Sequence, residues 1–258
     1  MHADVVVFGA SRGIGLGFVE QYAKAGQSVL ATYRGDAVPE RLGSVKERYP
    51  NLITLYPLDV TDKEGVETFA KKVVSVKKLI LNAGIKGYSG RGVLPQQHDT
   101  AQLLNTLMVN TVAHDTIMRA FFPILSKQRD SIAVYMGSKV GQISDNASGG
   151  SHPYRIAKAA SHMMMWNWDL ALKQEWKKTH PEELAHVPAA IALCAGWVNT
   201  DMGGQDASLT VEESVSQMRK TIDTVIQTKM SNGLFMYDGA VSERYPLTQT
   251  LQEVKEST

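Results

Sequence analysis

Three side chains in the middle of the sequence have the types and spacing needed to transfer a proton to an oxygen atom. Tyr154 and Lys158 stand four residues apart in a helical pattern, so they share one helix face. A phenol has an ordinary pKa of about 10, and a neighbouring ammonium stabilises its phenolate and makes it a better acid and base. Ser138 follows an apolar run, Ile132 to Met136, that predicts a buried strand, and its hydroxyl can bind a substrate oxygen. The pattern indicates proton transfer coupled to hydride transfer, although Y-x-x-x-K alone is also common on ordinary surface helices.

The N-terminal segment is typical of a nucleotide-binding unit. A β-branched run over residues 4–8 precedes glycines at positions 9, 13, 15 and 17, and a helical pattern follows that ends at Gly26. In such a unit the glycines let the backbone approach a pyrophosphate, and the helix N-terminus offers free N–H groups. The spacing is G-x-x-x-G-x-G, and a tight turn without a ligand is the alternative interpretation. The residues predicted to contact a cofactor here are Gly9, Ser11, Arg12, Gly13, Ile14 and Gly15.

The end of the second predicted strand, residues 28–33, indicates which dinucleotide binds. A cofactor without a 2′-phosphate usually meets an acidic side chain at this point, whereas here Tyr33 and Arg34 occupy it. Together with Arg12, Arg34 would place two guanidinium groups near the adenosine ribose, which favours a 2′-phosphate. We therefore expect NADP(H), the alternative being that Arg34 is a solvated loop residue and Asp36 binds the ribose hydroxyls.

Strand and helix patterns alternate at intervals of about 25 residues, which predicts a doubly wound α/β fold. We expect a Rossmann-like, mostly parallel, seven-stranded sheet with helices on both faces, forming one domain over residues 1–258 with a polar tail from about residue 247. Ligands of such sheets bind outside the carboxyl ends of the strands. The residues predicted to contact the cofactor at the third and fourth strand ends are Asp59 and Val60, and Asn82, Ala83 and Gly84.

Two helical patterns admit more than one interpretation. Asn110 lies within a predicted helix over residues 100–125. There it either has a structural role, bending the helix or satisfying a carbonyl, or holds a water linked to Lys158. The helix after Lys158 carries Met and Trp on more than one face, which indicates core packing, pairing with a second subunit, or both.

Residues 177–188 are predicted to form a polar surface insertion, and residues 85–99 a loop near the cleft.

Composition excludes several classes of protein. A net charge of +1 gives no bulk attraction to nucleic acid or to an anionic membrane, and no apolar run approaches the roughly 18–20 residues of a membrane span. The single cysteine, Cys194, excludes an internal disulfide and fits a reducing cytoplasm. His180 and His186 have no partners at metal-ligand spacing, so no metal site is expected.

The motifs taken together resemble the short-chain dehydrogenase/reductase family, and in particular its C-factor and sniffer-type carbonyl reductases. The matching segments, in order, are GASRGIG (9–15), LDV (58–60), NAG (82–84), VN (109–110), the serine of MGS (136–138), YRIAK (154–158) and GWVNTDM (196–202). The resemblance implies a tetrad of Asn110, Ser138, Tyr154 and Lys158. In it Tyr154 is the general acid or base, Lys158 lowers the pKa of Tyr154 and holds the nicotinamide ribose, Ser138 orients the substrate oxygen, and Asn110 anchors a proton-relay water. It also implies cofactor contacts from Tyr154 and Lys158 and from Gly196, Val198 and Thr200.

Three departures from the family pattern bear on cofactor affinity and assembly. Ala195 stands where proline usually precedes the glycine, the insertion at 177–188 is longer, and Phe8 replaces a threonine before Gly9. The last change predicts the loss of a hydroxyl bond that braces the glycine loop.

These observations predict a cytoplasmic NADPH-dependent oxidoreductase that acts on a small carbonyl or alcohol, or on an imine. The alternatives are a non-redox cofactor-binding regulator, and a biosynthetic isomerase, dehydratase or cyclase that uses the same cleft. The resemblance suggests a homodimer or homotetramer formed through the helices at 100–125 and 154–175.

Overall fold

The computed structural model of the chain describes residues 1–87, 99–247 and 249–256. Most of the predicted loop at 85–99 therefore lies outside the described residues. The strands in the described part of the chain are β1 (His2–Phe8), β2 (Val29–Tyr33), β3 (Ile53–Pro57), β4 (Ser75–Leu81), β5 (Ile132–Gly137), β6 (Ala189–Cys194), β7 (Gly233–Met236) and β8 (Val241–Arg244).

These strands form one sheet in the order β3-β2-β1-β4-β5-β6-β7-β8, in which every pairing is parallel except the antiparallel pairing of β7 with β8. The β-branched and aliphatic residues of β1, β2, β5 and β6 are buried because helices cover both faces of the sheet. Strand order reverses at β1 and β4, so the carboxyl ends of these strands border a crevice suited to a ligand.

The helices are α1 (Gly13–Lys24), α2 (Glu40–Arg48), α3 (Lys63–Lys72), α4 (Thr100–Leu107), α5 (Ala113–Leu125), α6 (His152–Thr179), α7 (Val211–Thr228) and α8 (Gln249–Glu256). Side chains of α1, α2 and α7 form one hydrophobic core with one face of the sheet, and those of α3, α5 and α6 form a second core with the other face. Alternate residues of β1 enter the two cores, as the two-residue period of a strand requires.

The predicted fold class is confirmed, and the structure corrects it in detail. The described sheet has eight strands, whereas the sequence predicted seven, because the chain turns at Gly239 and Val241–Arg244 pairs with β7 as an additional edge strand. The polar sequence of β8 carries no apolar alternation that would have revealed it. The tail beyond residue 247 also contains a helix, α8.

Two predicted helices differ from the structure. The expected helix over 100–125 is divided by a π-helical turn at Met108–Val112, and α6 continues through Thr179 into the predicted insertion. No helix in the described residues is both long and apolar enough to cross a bilayer. The described side chains also include no group of three or more His, Cys, Asp or Glu residues placed to hold a metal ion.

Candidate active site

The carboxyl ends of the central strands open into one cleft of about 460 Å³. It is lined by nearly every residue that the sequence singled out, namely Gly9, Ser11, Arg12, Gly13, Ile14, Tyr33, Arg34, Asp59, Val60, Asn82, Ala83, Gly84, Ser138, Tyr154, Lys158, Gly196, Val198 and Thr200. The remaining two, Gly15 and Asn110, are buried residues that do not line it. Parallel strands bring these residues together because their carboxyl ends lie at the same edge of the sheet.

The glycine loop is held against the end of β4. A Cβ atom on Gly9 would lie 2.7 Å from the Ala83 backbone, and one on Gly15 would lie 2.2 Å from the Gly9 carbonyl oxygen. Gly9 also has a φ of +80°, which side-chain-bearing residues rarely adopt. The Asn82 side chain donates to the Gly9 carbonyl at 2.8 Å. These glycines are thus required by close packing of the loop on the 82–84 segment.

The expectation that Phe8 deprives this loop of a hydroxyl brace is wrong. The hydroxyl of Thr32 in β2 accepts a hydrogen bond from the Gly9 N–H at 3.3 Å, and the Thr32 carbonyl accepts from the Ala10 N–H at 2.8 Å. The neighbouring strand therefore supplies the brace.

The first turn of α1 faces the cleft without a side-chain cap. Arg12 precedes this helix in an extended conformation and makes no capping bond, whereas Asp62 and Thr210 cap α3 and α7 with their side chains. The first N–H groups of a helix need an acceptor from outside the helix, and the helix dipole favours an anion there. The glycine loop therefore presents donors suited to a phosphate.

Both predicted arginines line the cleft. Arg34 lies at the end of β2, and the Arg12 guanidinium pairs with Asp201 on the loop after β6. This pair joins the glycine loop to the opposite wall, and it lowers the pKa of the Asp201 carboxyl through the hydrogen bond and the charge of Arg12. Asp36, the alternative ribose ligand, lines a neighbouring surface depression with Asp59 and does not line the main cleft.

Lys158 is buried beneath the cleft floor, with its ammonium among neutral groups. It donates to the Met136 carbonyl and to the Tyr135 hydroxyl, the latter at 3.0 Å. It also lies 5.4 Å from the centre of the Tyr154 ring. Burial lowers the pKa of Lys158, and the nearby Tyr154 and Cys194 oppose that effect. Tyr154 and Lys158 therefore share one local environment, as their spacing predicts.

Asn110 lies in the π-helical turn and uses its side chain structurally. Its amide oxygen accepts from the Ile85 N–H at 2.8 Å, and its amide nitrogen donates to the Ile85 carbonyl at 2.7 Å. The backbone carbonyl of Asn110 accepts hydrogen bonds from Tyr135 and Ser161. The π-helical turn thus directs a main-chain carbonyl towards β5 and α6, and the side chain secures the segment that follows the 82–84 motif.

Two buried histidines adjoin these groups. His162 Nε2 accepts from the Ser138 N–H at 3.3 Å, and His114 Nε2 lies 2.7 Å from the Ala83 carbonyl oxygen. Burial, reinforced by the charge of Lys158, lowers the pKa of each histidine to about 4, with the Ala83 bond opposing the shift at His114. Both are therefore neutral near pH 7, and His162 fixes the backbone at Ser138.

The loop between Ser138 and α6 is held by Arg155, whose guanidinium donates to the carbonyls of Val140, Gly149 and Gly150 and to the Ser148 hydroxyl. The sequence analysis did not single out Arg155, Tyr135, His114 or His162. Arg155 directly follows Tyr154 in the YRIAK segment, which was a usable signal. Tyr135 was hidden in an apolar run that predicted only a buried strand.

Comparisons with known proteins agree with this architecture. Residues 3–210 match the family model described as short chain dehydrogenase. The chain is 30% identical over 177 residues to the C-signal protein of Myxococcus xanthus, covering 67% of this chain and 97% of that protein.

Solved structures give the same result. The NADPH-bound carbonyl reductase from chicken fatty liver superimposes with a TM-score of 0.78 at 27% identity, covering 94% of this chain and 100% of that one. The carbonyl reductase Sniffer of D. melanogaster superimposes with a TM-score of 0.80 at 25% identity, covering 93% and 99%. The match to the family model spans most of the sequence, and the chain therefore belongs to the short-chain dehydrogenase family.

Proposed function

We propose that this protein is an NADPH-dependent oxidoreductase that interconverts a carbonyl, or an imine, and the corresponding alcohol or amine. One observation carries the proposal: a single cleft is lined both by the glycine loop and by Ser138, Tyr154 and Lys158. A dinucleotide held by the loop and an acid–base group at the same cleft are the two requirements of such a reaction.

The residues present fit NADPH. The uncapped first turn of α1 suits the pyrophosphate, and the Arg12 and Arg34 guanidiniums suit a 2′-phosphate. The similar chicken protein is described with NADPH bound. When bound, the cofactor supplies or accepts the hydride, and the protein supplies orientation and protons.

The side chains have distinct roles in this proposal. Tyr154 gives a proton to the substrate oxygen during reduction and removes one during oxidation, and the Lys158 ammonium stabilises its phenolate. The Ser138 hydroxyl hydrogen-bonds the same substrate oxygen, with its backbone held by His162. Asn110 holds the segment after the 82–84 motif through Ile85. Trp197 and Met202 line the cleft with exposed apolar surface, which suits a substrate with an apolar substituent.

A non-redox regulator is the second candidate, because a relative at 30% identity bears the name C-signal. Retention of Tyr154, Lys158 and Ser138 at one cleft favours catalysis. Turnover of NADPH with carbonyl compounds separates the two candidates, and identification of the product separates reduction from isomerisation, dehydration or cyclisation.

We further propose that the chain is one domain that works as a homo-oligomer, with a homodimer as the simplest form. Leu104, Met108 and Val112 expose apolar side chains at four-residue spacing along α4 and the π-helical turn, and Met163 exposes another on the adjacent α6. Such a patch is typical of a subunit interface. Light scattering of the wild type and of Leu104→Glu tests this, and a monomeric wild type contradicts it.

The decisive experiment for the cofactor is titration of the wild type, Arg34→Ala and a control with NADPH and NADH, read by cofactor fluorescence. We expect the wild type to prefer NADPH and Arg34→Ala to lose mainly that preference, by about ten- to a hundredfold for one charge-assisted phosphate contact. The control, Arg48→Ala, removes a surface arginine that pairs with Glu20 outside the cleft and leaves the preference unchanged. Preference for NADH would identify Arg34 as a bystander.

The accompanying test of chemistry is NADPH oxidation with a panel of ketones and aldehydes, comparing the wild type with Tyr154→Phe. Loss of turnover in the variant with retained NADPH binding supports the assignment of Tyr154. Failure of the wild type to bind either cofactor would overturn the oxidoreductase proposal.

A further inference from the structure

Tyr135 connects two parts of the candidate site that are far apart in sequence. It lies in β5 with no exposed surface. Its hydroxyl accepts a hydrogen bond from the Lys158 ammonium at 3.0 Å and donates one to the Asn110 carbonyl at 2.8 Å. The lysine, the phenol and the main-chain carbonyl thus form a continuous buried chain of hydrogen bonds.

The Asn110 carbonyl faces two hydroxyl groups of the protein. Besides accepting from Tyr135, it lies 2.9 Å from the Ser161 hydroxyl. The single hydroxyl hydrogen of Ser161 also has the Ala157 carbonyl within reach at 2.7 Å, so among the described hydrogen bonds the one from Tyr135 is not shared with another acceptor. The family resemblance implies that Asn110 anchors a relay water, and in the structure the Tyr135 hydroxyl lies between the Asn110 carbonyl and Lys158.

The surroundings of Lys158 show why this contact matters. The titratable groups that face the ammonium are Tyr135 from β5, Tyr154 and His162 from α6, His114 from α5 and Cys194 from β6. No carboxylate pairs with Lys158 among the salt bridges of the described residues. A buried ammonium without a counterion depends on dipoles to remain charged.

Tyr135 supplies two of the available stabilising contacts. Its hydroxyl oxygen accepts from the ammonium, and the centre of its ring lies 4.5 Å from Lys158 Nζ, within the range of a cation–π contact. The Met136 carbonyl supplies the other hydrogen bond. Replacing Tyr135 by phenylalanine would keep the ring and remove only the hydroxyl.

We propose that Tyr135 is a positioning residue of the reaction, whose hydroxyl takes the place of a relay water and holds the charged Lys158 beside Tyr154. This inference rests on the proposed function, because it acts through Lys158 on the acid–base group of that site. Through this contact, a residue of β5 affects how strongly Lys158 stabilises the phenolate of Tyr154.

The test compares the wild type with Tyr135→Phe, using Tyr22→Phe as the matched control. Tyr22 is as deeply buried as Tyr135 but belongs to α1 and to the core on the opposite face of the sheet. We expect Tyr135→Phe to lower kcat about ten- to a hundredfold, the range for a hydrogen bond to a charged group, with KM changed by less than about twofold. Tyr22→Phe should leave both constants unchanged.

The pH profile carries the sharper prediction. Alcohol oxidation requires the Tyr154 phenolate. With Lys158 less able to hold its charge, the phenolate is less stabilised, and the acid limb of the oxidation profile moves about one pH unit higher. A residue that only fills space would lower activity through loss of folded protein and leave the limb in place.

A readout that needs no turnover separates this inference from the proposed function. The ultraviolet absorbance of tyrosinate, titrated in each protein and in the same protein carrying Tyr154→Phe, isolates ionisation of Tyr154 by difference. Burial raises the pKa of both Tyr135 and Tyr22, so neither contributes near neutral pH. We expect Tyr154 to ionise at higher pH in Tyr135→Phe than in Tyr22→Phe.

An unchanged Tyr154 titration in Tyr135→Phe would overturn the inference, even if the wild type proves to be an active reductase. A shifted titration in a protein that reduces none of the carbonyl compounds would support the contact from Tyr135 through Lys158 to Tyr154, but it would remove the proposed function and with it a role for Tyr135 in the reaction. Both the inference and the proposed function are supported if the wild type is active and Tyr135→Phe lowers kcat, moves the acid limb of oxidation and shifts the Tyr154 titration.

Discussion

Helix α6 carries two buried lysines whose charges are compensated in different ways. Lys173 is 1% exposed and pairs with Asp169 one turn earlier, while the Ser231 hydroxyl accepts a further bond from its ammonium. Lys158 is 5% exposed and contacts only neutral acceptors, the Tyr135 hydroxyl and the Met136 carbonyl, among the hydrogen bonds of the described residues. Burial lowers the pKa of both lysines.

The difference separates a structural charge from a functional one. The Asp169 carboxylate also accepts from the Ala190 N–H, so the Lys173–Asp169 pair joins α6 to β6. The charge of Lys173 is compensated within this pair. Lys158 keeps an uncompensated positive charge beside Tyr154, where a phenolate or a ribose hydroxyl can use it. The same residue type in the same helix therefore serves stability at one end and the proposed chemistry at the other.

The largest expected effect is on activity, at Lys158. Lys158→Met should lower kcat about a thousandfold, because Tyr154 loses its cation. It should change the free energy of unfolding by no more than about 1 kcal/mol, because relief from burying an unpaired ammonium offsets the hydrogen bonds that Tyr135 and Met136 lose. Carbonyl-reduction kinetics and urea unfolding measure the two quantities. A variant that loses several kcal/mol of stability would break the contrast with Lys173.

The reverse is expected for Lys173. Lys173→Met leaves the buried Asp169 carboxylate without its partner and should lower the free energy of unfolding by about 3–5 kcal/mol. The kcat per folded molecule should stay within about twofold of the wild type, since the pair does not line the cleft. Urea unfolding followed by active-site titration checks this. The double variant Asp169→Asn, Lys173→Met should recover part of the lost stability.

The neutral histidines around Lys158 give this end of α6 an acid sensitivity. Because the pKa of His114 and of His162 is lowered to about 4, the unfolded chain binds more protons than the folded one between about pH 6.5 and 4. Stability should therefore fall as pH falls through this window, by up to about 3 kcal/mol for each histidine.

Urea unfolding at a series of pH values measures this dependence. The His162→Gln variant keeps an acceptor for the Ser138 N–H. It should remove the contribution of one histidine to the slope of the free energy of unfolding against pH. An unchanged slope would show that the pKa of His162 is the same in the folded and the unfolded protein, contrary to the lowering expected from burial beside Lys158.

The smallest effect is expected at an exposed pair. Arg12 and Asp201 are 64% and 65% exposed, so their contact should contribute little to stability. Asp201→Asn frees Arg12 for a 2′-phosphate and should tighten NADPH binding about two- to fivefold, with the NADH affinity unchanged. Fluorescence titration measures both affinities. An equal gain in affinity for NADPH and for NADH would indicate that Arg12 contacts the pyrophosphate, which both cofactors share.

Several features of this protein could be predicted from local patterns. The alternation of apolar strands with amphipathic helices predicted the parallel sheet. The glycine loop and the spacing of Tyr154 and Lys158 identified residues that the structure brings to one cleft. Each of these signals is read from residues that are close together in sequence, where the geometry of a single strand, turn or helix fixes their relative positions.

The contacts between distant segments were decided by the tertiary structure. The sequence showed that Tyr135 would be buried, because it lies in an apolar run, but not that its hydroxyl would meet Lys158. That contact depends on the packing of α6 against β5 and on the π-helical turn that presents the Asn110 carbonyl. Hydrophobic patterning determines which residues are buried, whereas the partner of a buried polar group depends on how separate elements pack against one another.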